Sequence, residues 1–215
     1  VLRGYLSSFG FYLDNIHPYP LPFFNTRKIY KTATKAQRHR DFLNLFFPLC
    51  LCVSVVNKVF VYMEKIVIAS DHGGFELKED LKLFLTEMGY EPVDFGTENS
   101  NSVDYPDFGA KVAEAVARNE MPKGILICGT GIGMSIVVNR FPGVRGALCN
   151  DVYSARMSRE HNDSNVLILG GRVVGKGLAR EMVKTWINTK FEGGRHQKRL
   201  DKIKELEDKI RKGEI

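Results

Sequence analysis

Gly124-Ile125-Leu126-Ile127-Cys128-Gly129-Thr130-Gly131-Ile132-Gly133 decides how this chain is read. Its first half is an apolar run without charge, as a strand buried on both faces requires. Three glycines then break the run, and residues 134–139 continue it as the body of a short helix. Glycine tolerates positive φ and lets a ligand approach the backbone, so several amides are left aimed at whatever lies above the turn. The helix start adds roughly half a positive charge there, a setting that favours an anion. Cys128 stands at the edge of that turn, where such surroundings favour the thiolate over the thiol. One loop therefore offers a base or nucleophile beside a cradle for developing negative charge.

Two other readings compete. A glycine turn after a strand, with Asp151 near the end of the next strand, imitates a dinucleotide fingerprint. That fingerprint wants glycine or alanine at its sixth position to let helix and strand pack closely. Met134 stands there, and the third glycine comes one residue early. The plainer alternative is a glycine turn beside a buried, inert Cys128, which suits an apolar strand end equally well.

Around this unit, strand and helix patterns alternate from Met63 onward. Strands are expected at Lys65–Ser70, residues 91–95, Gly124–Cys128, residues 144–149 and residues 166–169. Residues 75–88 place Leu77, Leu81, Phe84, Leu85 and Met88 on one helical face. Further helices are expected from Pro106, at 132–139, 151–160 and 175–189, and at 198–211. In the last, Leu200, Ile203, Leu206 and Ile210 form an apolar stripe to be laid on the body or on a second subunit. Near-continuous Val/Ile/Leu strands separated by helices imply a parallel sheet covered on both faces. The expected fold is α/β: a three-layer α/β/α sandwich with a five-stranded parallel Rossmann-like sheet and a C-terminal helix.

Charge divides the chain at Met63. Of 31 Lys/Arg and 25 Asp/Glu, eight and two fall in residues 1–62, leaving 23 of each in residues 63–215. The basic balance is thus no sign of nucleic-acid binding by the folded part, and no basic stripe interleaved with aromatics follows Met63. Cys50, Cys52, Cys128 and Cys149 show no C-x-x-C or zinc-like spacing, which suits a reducing, cytoplasmic setting. Residues 1–62 combine prolines, a basic patch and an apolar stretch at 42–56 shorter than the ~20 residues of a membrane span. They read as a leader, a disordered extension, or upstream sequence attached by a wrong start. Met63 precedes a clean strand, which favours the last. The expected division is an N-terminal extension, 1–62, and a catalytic domain, 63–215.

In open parallel sheets ligands bind beyond the carboxyl ends of the strands. That rule gathers Asp71-His72, the turn at Cys128–Gly133 and Asn150-Asp151 on one rim. Asp71 and His72 pair a carboxylate with an imidazole, an acid/base or anion-binding combination. Asp104 and Pro106 are explained by an N-cap and a first-turn proline, which leaves Tyr105 over. His161 ends a helix, where the dipole alone gives it a stabilising role. Gly193-Gly194-Arg195-His196-Gln197-Lys198-Arg199 is a glycine hinge followed by cationic groups: solvated surface, or a phosphate site. Arg195 and Arg199 share a helical face.

Asp-His-Gly-Gly at 71–74, Asp-Tyr-Pro at 104–106, Cys-Gly-Thr-Gly at 128–131, Arg-Glu-His-Asn-Asp at 159–163 and the run 193–199 occur in one order. Together they resemble the ribose-5-phosphate isomerase type B family, which also includes galactose-6-phosphate isomerase subunits. The resemblance spans residues 63 to about 212 and does not extend to 1–62. It implies interconversion of ribose 5-phosphate and ribulose 5-phosphate without a metal or organic cofactor. His161, with Asp71 nearby, would open the furanose ring, and Cys128 would move the proton between C2 and C1. Thr130 and the amides of Gly129, Gly131, Ile132 and Gly133 would hold the enediolate oxygen, an oxyanion hole. Tyr105 and Asn162 would bind sugar hydroxyls. His72, Arg195 and Arg199 would grip the phosphate, with Arg172 a weaker candidate.

One branch of the family uses a glutamate further along the loop as base; Cys128 places this chain with the cysteine branch. The resemblance also implies a homodimer, or a dimer of dimers, with active sites shared between subunits, and neither nucleic acid nor membrane as partner. The alternatives are a sugar-phosphate binding module without turnover, and an isomerase of six-carbon aldose phosphates such as allose 6-phosphate or galactose 6-phosphate. The full residue set counts against a galactose-6-phosphate isomerase subunit, and a sensor would need the phosphate grip but no base.

Overall fold

The structure is a computed structural model that describes residues 63–215; the expectations for residues 1–62 lie outside the described residues. The chain runs β1 (Lys65–Ser70), α1 (Phe75–Glu87), β2 (Glu91–Asp94), α2 (Tyr105–Ala117), β3 (Gly124–Cys128) and α3 (Ile132–Val138). It continues with β4 (Gly146–Leu148), α4 (Val152–Asn162), β5 (Val166–Gly170), α5 (Lys176–Asn188) and α6 (Arg195–Lys212). The strands form one parallel sheet in the order β2-β1-β3-β5-β4. Among the described residues no helix is long and apolar enough to cross a membrane.

The period-2 alternation of the strands sorts their side chains into two cores. Ile66, Ile68, Ile125, Ile127, Leu167 and Leu169 face α1, α5 and α4, meeting Leu77, Leu81, Leu85, Met182 and Trp186. Val67, Ala69, Leu126, Val166 and Ile168 face α2 and α3, meeting Val112, Val116, Met134 and Val138. The expected three-layer sandwich is therefore present, with β1, β3 and β5 buried on both faces.

Three expectations need correction. The fourth strand covers only Gly146–Leu148, not 144–149. Its approach is taken into a turn, where the Val144 amide donates to Phe141 O and the Arg145 amide to Asn165 Oδ1. Asp104 stands at the N-cap of α2, but its side chain makes no capping hydrogen bond, so the cap does not account for it. The last helix begins at Arg195, three residues before the expected start, because Gly193 and Gly194 adopt positive φ and let the chain turn directly into it.

β4 is an edge strand, and Asn139 closes part of that edge. Its Oδ1 accepts from the Gly146 amide at 2.9 Å and its Nδ2 donates to Gly146 O at 3.0 Å, standing in for a neighbouring strand. On the opposite side, Lys78 is buried, its Nζ donating to Asp94 Oδ2 at 2.7 Å and to Thr97 O at 2.6 Å. It ties α1 to the loop that follows β2. Burial works against ionisation of Asp94, yet the hydrogen bonds from Lys78 and Lys82 hold its carboxyl below the ordinary range.

The Asp80–Arg180 pair joins α1 to α5 through two hydrogen bonds of 2.9 and 2.7 Å, which hold the Asp80 carboxyl below its usual value. A carboxyl depressed in the folded state contributes stability above its unfolded pKa and loses it as pH falls through the folded one. Asp80→Asn should therefore cost about 0.5–1 kcal/mol near pH 7, and that cost should shrink as the pH falls below the ordinary carboxyl range. Thermal unfolding of both proteins from pH 7 into the acid range checks this; a gap that does not narrow would contradict it.

Candidate active site

Asp71 directly follows β1, and its Oδ1 accepts from the Gly73 and Gly74 amides at 2.8 and 3.1 Å. That pairing closes the turn, and the carboxylate is buried. His72 follows, and its Nδ1 accepts from the Val103 amide at 3.2 Å. With Nδ1 as acceptor, the neutral ring carries its proton on Nε2 and presents a donor. Val103 lies on the 97–104 loop that Lys78 grips at Thr97, so the buried lysine supports the segment that sets the His72 tautomer.

β3 ends in Cys128, 4 % exposed, whose Sγ accepts from the Gly131 amide at 3.1 Å. Gly131 has φ +80°, and a Cβ there would also press on the Leu169 backbone at 3.1 Å, so any side chain at this turn would be strained. Thr130 Oγ1 accepts from the Ile132 amide at 3.3 Å. The turn thus differs from a uniform row of open amides: Gly131 is turned to the sulfur and Ile132 to Thr130. The Gly129, Thr130 and Gly133 amides donate to no acceptor among the described residues.

Tyr105 opens α2, and its ring lies where a Cβ on Gly133 would be, 2.6 Å from Cε2 and Cζ. Arg172 follows β5; its amide donates to Gly129 O at 3.0 Å, and its side chain passes over Gly129. Asp71, His72, Tyr105, the turn from Cys128 to Gly133 and Arg172 are therefore brought together on the carboxyl rim. Arg172 sits nearer the centre of this group than its sequence context suggested. Asp151, also expected on the rim, is occupied as the N-cap of α4, accepting from the Ser154 amide at 2.8 Å and from its hydroxyl at 2.7 Å.

His161, Asn162, Arg195 and Arg199 lie elsewhere. α4 leaves the rim after β4 and runs back across the sheet for 11 residues, about 16 Å. Its last turn, with His161 and Asn162, reaches the amino edge, where Asn162 O accepts from Arg145 Nε at 3.1 Å. The expectation that His161 stands near Asp71 is thus not met within one chain. The helix length, which no local motif encodes, separates them.

At that second edge His161 and His196 stack, with ring centroids 4.2 Å apart and planes 4° apart. Arg195 Nε donates to His196 Nε2 at 3.2 Å, and Glu192 Oε2 lies 3.4 Å from the same nitrogen. Burial, then His161, Arg195 and Arg199, push the His196 imidazole below its ordinary pKa against the pull of Glu192. His161, Glu192 and His196 bring ligand-type atoms within 4.8 Å of one another. A metal would have to lie in the plane of each imidazole at about 2.0–2.1 Å, which two parallel stacked rings cannot offer to one ion. The sequence showed His196 only as one more cationic group. Its place four residues before Leu200, on the apolar stripe, was the available signal that it is buried.

That stripe is exposed. Ile203, Leu206 and Ile210 are 47, 50 and 58 % accessible, so it is not laid on the body of its own chain.

The profile of the ribose/galactose isomerase family matches residues 66–203. Ribose-5-phosphate isomerase B of Escherichia coli is 48 % identical over 147 residues, 68 % of this chain and 99 % of that protein. The solved structure of Clostridium thermocellum ribose-5-phosphate isomerase B is similar with a TM-score of 0.67 and 57 % identity, covering 68 % of this chain and 99 % of that one. The Thermotoga maritima ribose 5-phosphate isomerase structure follows with a TM-score of 0.65 and 51 % identity, over 66 % and 98 %.

Proposed function

The chain belongs to the ribose/galactose isomerase family, and from this we propose that it interconverts ribose 5-phosphate and ribulose 5-phosphate at a site built by two subunits. The carrying observation is the division of the candidate residues. Cys128 and its turn stand at the carboxyl rim of the sheet, whereas His161, Asn162, Arg195 and Arg199 stand at the opposite edge. A two-fold dimer meets this requirement, because each copy can lend its second set to the other's rim. The exposed stripe of α6 supplies an apolar surface for such an interface.

In this reading the substrate's phosphate is gripped by His72 through Nε2–H and by Arg172, with Arg195 and Arg199 of the partner subunit closing over it. His161 of the partner subunit gives a proton to the ring oxygen as the C1–O4 bond breaks, and Asp71 takes the proton of the O1 hydroxyl as the C1 carbonyl forms. The Cys128 thiolate removes the C2 proton, and the electron pair moves onto the C1 carbonyl oxygen to give the enediolate. Thr130 and the unpaired amides of the turn stabilise that oxygen. The O2 proton passes to O1, and the same sulfur returns its proton to C1 as the electron pair left on O2 forms the ketone. Tyr105 and Asn162 of the partner subunit orient the hydroxyls between.

A coupled assay with ribose 5-phosphate tests the activity, with allose 6-phosphate and galactose 6-phosphate as comparison substrates. Turnover of the five-carbon sugar should lead. Preference for a six-carbon sugar would reassign the substrate, and binding without turnover would leave a sugar-phosphate binding module. Arg195→Ala and Arg199→Ala should each raise KM far more than they lower kcat, because those contacts persist from substrate to transition state. Lysine replacements should rescue only in part, since the bidentate fork is lost. A loss confined to kcat would remove both arginines from the grip.

This reading places the whole isomerase in residues 63–215, so that segment alone should turn over ribose 5-phosphate as the full chain does. Cys128 and Cys149 are unpaired, which suits a reducing compartment, and we place the protein in the cytoplasm.

A further inference from the structure

The partly exposed His161 ends a helix, and a histidine χ2 torsion is broad, so nothing in its own backbone fixes the ring plane. What fixes it is His196, 3 % exposed, whose ring lies parallel to it at 4.2 Å. The same His196 accepts from Arg195 Nε at 3.2 Å. The backbone joins the two segments as well, since the Glu192 amide donates to Glu160 O at 3.0 Å. His196 Nδ1 is buried and makes no hydrogen bond among the described residues. A phenylalanine would fill the space without leaving a buried nitrogen unpaired. The imidazole therefore calls for a reason beyond packing, and Nε2 supplies one.

We propose that His196 is a positioning residue: its stacked ring holds His161 for ring opening, and its Nε2 holds the Arg195 guanidinium for the phosphate. The inference rests on the reading that His161 and Arg195 serve the partner subunit's Cys128 turn. Two imidazoles at this separation cannot both carry charge without mutual repulsion. Burial and the neighbouring cations hold the His196 imidazole below its ordinary pKa, toward the neutral form. A neutral aromatic face also tolerates a cation stacked on it. Ring opening and phosphate binding are thus organised by one buried side chain with two separable contacts, a face and a nitrogen.

Two reactions separate them. Conversion of ribose 5-phosphate requires the furanose to open. Deuterium wash-in from solvent at C1 of ribulose 5-phosphate does not, because the phosphate on O5 prevents that ketose from closing to a furanose. His196→Ala should lower kcat for ribose 5-phosphate about 10- to 100-fold, the range expected from misplacing a reacting group by an ångström. It should raise KM in both reactions and leave the wash-in rate at saturation unchanged. His196→Phe, which keeps the face and loses the nitrogen, should recover kcat but keep the raised KM.

Wild-type kinetics for His196→Ala, or equal losses in kcat and wash-in, would overturn the proposal. So would a phenylalanine variant as slow as the alanine one. If the alanine variant fails to fold, the phenylalanine variant decides by the same criteria. His161→Ala in parallel guards the premise. If it leaves ribose 5-phosphate turnover intact, the reading of the site fails; if it abolishes turnover while His196→Ala does not, only this inference fails.

Discussion

Cys128→Ala is expected to slow ribose 5-phosphate isomerisation about 10²–10⁴-fold, the usual cost of removing a general base. Folding should survive, because the side chain sits at a strand end and alanine needs less room. Phosphate binding should survive too, since His72, Arg172 and the arginines of α6 are untouched. The amide now turned to the sulfur, that of Gly131, would lose its acceptor, and this adds little beside the loss of the base. Rate measurement at saturating substrate, with binding of ribose 5-phosphate measured separately, gives the two readouts. A variant retaining more than about a tenth of the wild-type rate would move the base elsewhere.

The second large effect is a recovery. Cys128→Ala and His161→Ala should each be nearly inactive alone. After unfolding together and reassembly, half the dimers pair one variant with the other, and each such dimer holds one intact site. Activity should return to about a quarter of wild type. This follows from the sheet: α4 carries His161 some 16 Å from the rim that carries Cys128, so one chain alone does not assemble the site. Mixed activity equal to the sum of the parents would place both residues in a single-chain site, and an active monomer would do the same.

Much of the fold was legible because its strands are buried on both faces. Lys65–Ser70 and Gly124–Cys128 emerge with the expected limits, since charge or glycine stops the apolar run at each end. β4 was overextended because Val144 and Cys149 are apolar and buried without belonging to the strand; burial alone does not distinguish a turn from a ladder. On the site, the rule that ligands lie beyond strand ends grouped Asp71, His72 and the Cys128 turn correctly, because each directly follows a strand. The same rule puts Asp151 on that rim, where it starts α4, but its oxygens are taken by Ser154.

The rest was hidden by contacts that cross the chain. His161 was expected beside Asp71, and only the direction and length of α4 show that they are apart. His196 looked like a surface cation because its neighbours in sequence are charged, while its helical neighbour Leu200 points to burial. Lys78 is buried on a helix face that reads as apolar only around it. Its partners Asp94 and Thr97 are 16 and 19 residues away, beyond the reach of any local pattern.

The central claim, that this chain turns an aldose phosphate into a ketose phosphate through proton removal at C2, is tested most directly by proton NMR. Ribose 5-phosphate is followed in deuterium oxide with the full chain and a metal chelator present. The account predicts that the C2 proton signal of the aldose decays, that ribulose 5-phosphate accumulates to equilibrium, and that deuterium enters at C1. Unchanged ribose 5-phosphate spectra, with binding visible only as line broadening, would contradict it.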